Sequence, residues 1–224
     1  MNYPFKLGEY SRPITVSNPE AQNWFDRGLA WVYGFNHEEG ATCFRRAVEI
    51  DPNCAMAHWG IALASGPFYN LPWEWLSENE AETMLPTCHN AVQQALERSD
   101  DVAPAEKALI HALSQRYPAD QVISIEECQQ WDNAYADAMR TVHADFPDDF
   151  DVIALFAEAM MTRTPWKLWD IHRGEPSAGA DTLETLALLD TGLDLILERG
   201  EAPHPGILHM YIHALEMSPT PERA

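Results

Sequence analysis

The sequence predicts an all-α fold, a solenoid of antiparallel helix pairs with about nine to ten helices in 224 residues. Apolar residues recur at helical spacing in one segment after another, and polar or proline-containing turns separate these segments. A helix–turn–helix unit is also followed by a second one, because His58 stands 34 residues beyond Trp24. The β-branched residues are scattered without an alternating run between turns, so no strand is predicted.

Residues 1–20 are expected to form an extended lead-in, and residues 21–224 a domain of helical repeats that continues beyond the end of this chain. The first helix is predicted from about Pro19 to Gly34, because Ser17 or Asn18 can cap it and proline is favoured in the first turn.

A turn at residues 34–36 is predicted to lead into a second helix from about His37 to Ile50. Asn36 followed by Glu39 fits an N-cap residue with a reciprocal glutamate three positions later. Asp51 and Pro52 end this helix, since the residue before a proline is disfavoured in the helical region. His37 is the one residue of this turn that is left without a structural role.

The same pattern continues to the C-terminus, with two aromatic insertions at residues 67–77 and 162–181. Further helices are predicted over residues 55–66, 80–98, 104–116, 125–145, 150–162, 182–199 and 205–217. Residues 218–224 are expected to be a turn and the start of a partner helix. The chain is therefore expected to be a fragment of a longer protein, or to have its last helix covered by another chain.

Several positions of the first pair coincide with a known repeat consensus, namely Trp24, Gly28, Trp31, Phe44, Ala47 and Pro52. The chain resembles bacterial tetratricopeptide-repeat (TPR) proteins through WFDRGLAWVYGFNHEEGATCFRRAVEIDPNCAMAHWGIALASGP, ALFAEAMM, PWKLW and HPGILHMYIHALEMSPTPERA. The resemblance covers most of residues 9–224. It implies a TPR-like superhelix with more helices after the final PERA, and it implies binding or scaffolding only by association.

Composition narrows the class of partner. With 35 acidic and 14 basic residues the net charge is −21, which disfavours nucleic acid and anionic membranes as partners. No signal peptide and no apolar run of membrane-spanning length is visible, so a cytoplasmic protein is expected. The four cysteines have no CxxC spacing and are expected to be reduced and buried, at Cys43, Cys54, Cys88 and Cys128.

The strongest candidate for a metal-binding or catalytic site is a histidine pair near the C-terminus. His209 and His213 are four residues apart and Glu216 follows three later, so all three share one helix face. Two imidazoles and a carboxylate at this spacing can bind a divalent transition metal. The alternative is that these histidines pack at a helix interface and bond to carbonyls or carboxylates.

Two histidines of the first repeats complete the hypothetical metal set. His37 opens a helix, and His58 takes a repeat position usually held by a large apolar residue. The metal hypothesis requires both to face a shared groove with the C-terminal group. A metal-binding protein or metalloenzyme is the competing hypothesis for function.

The leading hypothesis is a cytoplasmic repeat scaffold that binds a protein or peptide partner, or a small ligand, in its concave groove. Insertions in repeat arrays tend to map to one face, often the binding face. The predicted groove residues are His58, Asn70, Trp73, Trp166 and Trp169. A third hypothesis is self-association through the C-terminal helix.

Overall fold

A computed structural model describes residues 3–121 and 124–224, and it confirms the all-α prediction. Within these ranges it contains nine α-helices, from α1 at Pro19–Tyr33 to α9 at Pro205–Leu215. The helices between them are α2 His37–Ile50, α3 Ala55–Ser65, α4 Glu78–Leu96, α5 Pro104–Ser114, α6 Ile125–Asp145, α7 Phe150–Thr162 and α8 Thr182–Arg199. Short 3-10 turns lie at Trp73–Trp75 and Pro221–Arg223. None of the helices in the described ranges is long and apolar enough to cross a membrane.

Local sequence rules account for the helix starts. The Asn18 side chain caps α1 by accepting a hydrogen bond from the Glu20 amide at 2.9 Å. The predicted cap at Asn36 is also present, since its side chain accepts from the Glu39 amide at 3.4 Å.

The prediction that no strand forms is wrong at one place. Trp169–Asp170 pairs with Glu175–Pro176 as a two-residue antiparallel ladder inside the second aromatic insertion. The Asp170 carboxylate accepts hydrogen bonds from the backbone amides of His172 and Arg173 at 3.0 and 3.2 Å, and Gly174 has a φ of 67°. These local contacts close the turn, and the ladder is too short to leave an alternating pattern in the sequence.

Small residues let neighbouring helices approach closely. The Phe44 ring of α2 lies between Gly28 of α1 and Gly60 of α3, and a Cβ at either glycine would overlap that ring. The resemblance to the repeat consensus at Gly28 and Phe44 therefore corresponds to one steric contact. All four cysteines are free and buried, as predicted.

The inward sides of the odd-numbered helices meet around a small cavity of about 20 Å³. Its walls include Val32 of α1, Leu63 of α3, Leu155 of α7, Met210 of α9 and Arg116, which follows α5. Helix α1 also packs against α9. The space expected to be an open concave groove is filled here by large side chains from opposite helices.

The lead-in connects helices that are remote in sequence. Thr15 donates from its amide and hydroxyl to Glu106 at the start of α5, at 2.7 and 3.1 Å. Ser17 donates in the same way to Asp51 at the end of α2, at 2.7 Å for both bonds. These contacts hold the N-terminal segment against the helix ends.

Candidate functional site

The two aromatic insertions and the α1–α2 turn meet at one end of the molecule. We call Phe35, Phe68, Tyr69 and Trp166 the aromatic cluster. The Phe35 and Phe68 rings are 5.2 Å apart between centroids, and Tyr69 stacks on Trp166 at 5.5 Å. The cluster forms at this end because the turn and both insertions follow odd-numbered helices, α1, α3 and α7.

The predicted histidine pair lies against this cluster. The centroid of the Phe35 ring is 4.3 Å from that of His209 and 5.2 Å from that of His213. Phe35 adopts a positive φ of 57°, which directs the chain sharply between α1 and α2. Sequence patterns do not single out Phe35, because a positive φ at a non-glycine residue leaves no pattern.

A continuous line of close polar contacts runs through both imidazoles. His209 Nδ1 donates to the Tyr33 carbonyl oxygen at 2.5 Å. Its Nε2 lies 3.1 Å from Nε2 of His213, whose Nδ1 lies 2.7 Å from Oε1 of Glu216. His213 is buried whereas Glu216 is exposed, so the line runs from the interior of the fold to solvent.

The outer partners determine the proton positions on both rings. A backbone carbonyl and a carboxylate can only accept, so each Nδ1 carries a proton. Each Nε2 of a neutral ring then presents a lone pair, and the two lone pairs face each other. Burial lowers the pKa of His209, which favours its neutral form.

His37 is close to the pair but does not join it. Its ring stacks on Phe68 with 3.8 Å between centroids, and Phe35 lies next to both His37 and His213. His37 also lines the inner cavity beside Arg116, and its Nδ1 is buried without a hydrogen-bond partner. The histidine that had no structural role in the sequence therefore packs between the aromatic cluster and the inner cavity.

The predicted convergence of His58 with the other histidines is not observed. His58 lies in the first turn of α3, where its Nε2 is 3.0 Å from the Pro52 carbonyl oxygen. The aromatic cluster lies beyond the other end of that helix, seven residues and about 10 Å further along its axis. His58 instead links the first turn of α3 to the loop between α2 and α3.

The remaining predicted groove residues lie in or around the aromatic cluster. Trp73 is fully buried, Trp166 stacks on both Tyr69 and Trp75, and Trp169 Nε1 donates to the Ala214 carbonyl oxygen at 2.7 Å. Asn70 follows Tyr69 directly. Four polar atoms here are buried without a hydrogen-bond partner: Tyr69 Oη, Asn70 Oδ1, Trp73 Nε1 and Trp166 Nε1.

A buried ion pair beneath the cluster was not anticipated. Arg116 Nε is 2.7 Å from Asp132 Oδ1, and both side chains are almost completely buried. Burial raises the pKa of Asp132 to about 6, although the charge of Arg116 acts in the opposite direction. Glu158 contributes to this network and accepts a hydrogen bond from the Tyr69 amide at 3.1 Å.

The five residues of the hypothetical metal set are thus not brought together. Among residues 3–121 and 124–224, no group of three or more His, Cys, Asp or Glu side chains is arranged to hold a metal ion. Only the Nε2 atoms of His209 and His213 converge, with Glu216 bonded to the outer nitrogen of His213. Comparisons with protein-family models, with curated proteins and with solved structures found no match to this chain.

Proposed function

We propose that the chain is a TPR-like protein built of antiparallel helix pairs, and that it acts as a binding module. Two facts support this architecture: consecutive helices pack against one another throughout, and the consensus residues Gly28 and Phe44 meet as described above. The open groove of such a superhelix is not the surface we propose, because the inner side of the described helices is filled.

The observation that carries the proposal is the outer face of α9. Helices α1, α3, α5 and α7 each pack against the helix that follows. Helix α9 packs against α1, α7 and α8, and it leaves Leu208 and Ile212 exposed at 42% and 48%. These two branched aliphatic side chains are four residues apart and form one apolar stripe.

The proposed occupant is an amphipathic helix with basic flanking residues. A helix is the element that packs next against each of α1, α3, α5 and α7. Basic flanks follow from charge, because the chain carries −21 overall and Glu216 stands beside the stripe. The binding mode is a helix laid on an apolar face, with anchors at helical spacing.

Synthetic helical peptides test this proposal. One peptide carries an apolar stripe with lysine flanks, a second carries the same stripe with glutamate flanks, and a third has the lysines but a scrambled stripe. Fluorescence anisotropy should show binding of the first alone. The double variant Leu208→Glu/Ile212→Glu should weaken that binding by at least about tenfold, since it places charge where apolar contact is needed.

The matched control adds the same two charges elsewhere. Thr87 and Asn90 are exposed on α4, so Thr87→Glu/Asn90→Glu should bind the first peptide like the parent protein. Equal binding to the parent and to the α9 variant would contradict the proposal. A parent dimer that dissociates in the α9 variant would assign this face to a second copy of the chain.

A further inference from the structure

The facing nitrogens of His209 and His213 need a positive charge between them. Each Nδ1 is committed as a donor, to the Tyr33 carbonyl and to the Glu216 carboxylate. Two neutral rings would therefore hold their Nε2 lone pairs 3.1 Å apart with nothing to bridge them. Either a shared proton or a metal cation satisfies this arrangement.

The distance suits a metal ion. Zinc–nitrogen bonds are about 2.0–2.1 Å, so two nitrogens 3.1 Å apart would enclose an angle of roughly 100° at the ion. This angle lies between a right angle and the tetrahedral angle, as common coordination geometries require. A metal-bound histidine also typically donates its other ring N–H to a carboxylate or a backbone carbonyl, and both types of partner are present here.

A second observation is a buried polar group next to the histidine pair. Tyr69 is fully buried beside His213, with 5.3 Å between the ring centroids, and its hydroxyl has no hydrogen-bond partner. Buried hydroxyls without a partner are costly. Water bound to an ion at the histidine pair would add a hydrogen-bonding group beside the Tyr69 ring.

We propose that His209 and His213 bind one divalent transition metal ion through their Nε2 atoms. Glu216 and the Tyr33 carbonyl are positioning groups that hold the two rings, and they do not bind the ion. The remaining coordination positions belong to water or to an exogenous ligand. Imidazole ligands suit Cu²⁺, Ni²⁺ and Zn²⁺, and Cu²⁺ binds most tightly in the general order of divalent metals.

Titration of the untagged chain with Cu²⁺ tests this assignment. Isothermal calorimetry in the presence of a weak competing chelator should show one ion per chain, and electron paramagnetic resonance should show coupling to two nitrogens. Both signals should disappear in His209→Asn/His213→Asn. Glu216→Gln should lower the affinity by about 10–100-fold, which is typical when an outer hydrogen-bond partner of a metal ligand is changed.

Two features keep the test interpretable. Glu216 is exposed, so its variant should fold even if the double histidine variant does not. His111 and His172 are exposed elsewhere, and His111→Asn/His172→Asn should bind Cu²⁺ like the parent protein. Equal Cu²⁺ binding by the parent, Glu216→Gln and the double histidine variant would overturn the proposal. Absence of a saturable site in the parent would also overturn it and leave a shared proton between the rings.

Discussion

Arg12 and Asp151 are 139 residues apart in sequence, yet Arg12 Nη1 lies 2.8 Å from Asp151 Oδ2. The Asp151 carboxylate also accepts hydrogen bonds from the hydroxyls of Tyr10 and Tyr33 and from His204 Nε2. Burial alone would raise the pKa of Asp151, but the bond from His204 and the charge of Arg12 hold it well below its usual range. One carboxylate thus joins the lead-in, α1, α7 and the start of α9.

Removal of this carboxylate should cost stability. Asp151→Ala leaves the buried Arg12 charge with only Asp149, and we expect a loss of about 3–5 kcal/mol in the free energy of unfolding. Urea denaturation followed by circular dichroism measures it. The control is Asp148→Ala, which breaks the exposed pair with Arg199 and should cost no more than about 1 kcal/mol. Similar losses in both variants would contradict the buried network.

His37 should make stability fall in acid. Burial, and then the charge of Arg116, lower its pKa from 6.5 to about 3. The unfolded chain therefore binds a proton below pH 6.5 that the folded chain does not. The stability due to the neutral ring is present above pH 6.5 and is lost as the pH falls toward the folded value, by about 1.4 kcal/mol per pH unit.

The variant His37→Phe isolates this contribution, because phenylalanine keeps an aromatic ring against Phe68 and does not titrate. Between pH 6.5 and 5, the free energy of unfolding of this variant should fall less steeply than that of the parent. The difference between the two slopes should approach about 1.4 kcal/mol per pH unit. His111→Gln removes an exposed histidine and should keep the parent's slope. Parallel curves for the parent and His37→Phe would show that His37 is not held neutral.

The Phe44 contact should tolerate no added methyl group. Gly60→Ala places a Cβ against the ring, and overpacking of this kind costs about 1–3 kcal/mol. Gly34→Ala is the control, because Gly34 has a φ of −90° and its nearest neighbour is 3.5 Å away. Thermal unfolding should separate the two variants. The double variant Phe44→Leu/Gly60→Ala should lose less than the sum of its single changes, and strict additivity would argue against the wedge.

Local features of the fold were predictable, because they depend on neighbours in sequence. The start of α1 at Pro19, the bounds of α2 and the Asn36 cap follow from capping and proline rules. The pair His209 and His213 was predictable for the same reason, since positions four apart on a helix face the same way. The short ladder at Trp169 was missed because its ends are fixed by a turn rather than by a pattern.

Long-range contacts were beyond prediction from one sequence. Periodicity places His37 on a helix but does not indicate that Phe68, from an insertion 31 residues later, covers it. Sequence position placed His58 in the same hypothetical metal set as His209, although α3 carries His58 toward the opposite end of the molecule. The partners of Asp151 come from three separate segments, and no spacing rule connects them.

The contact between α1 and α9 changes how the chain should respond to force or heat. An array whose units touch only their neighbours can unravel from either end, one unit at a time. Here α1 and α9 contact each other, and the lead-in bonds to α5 through Glu106 and to α7 through Asp151. Opening of either helix would break these contacts, so we expect residues 3–121 and 124–224 to unfold as a single cooperative unit.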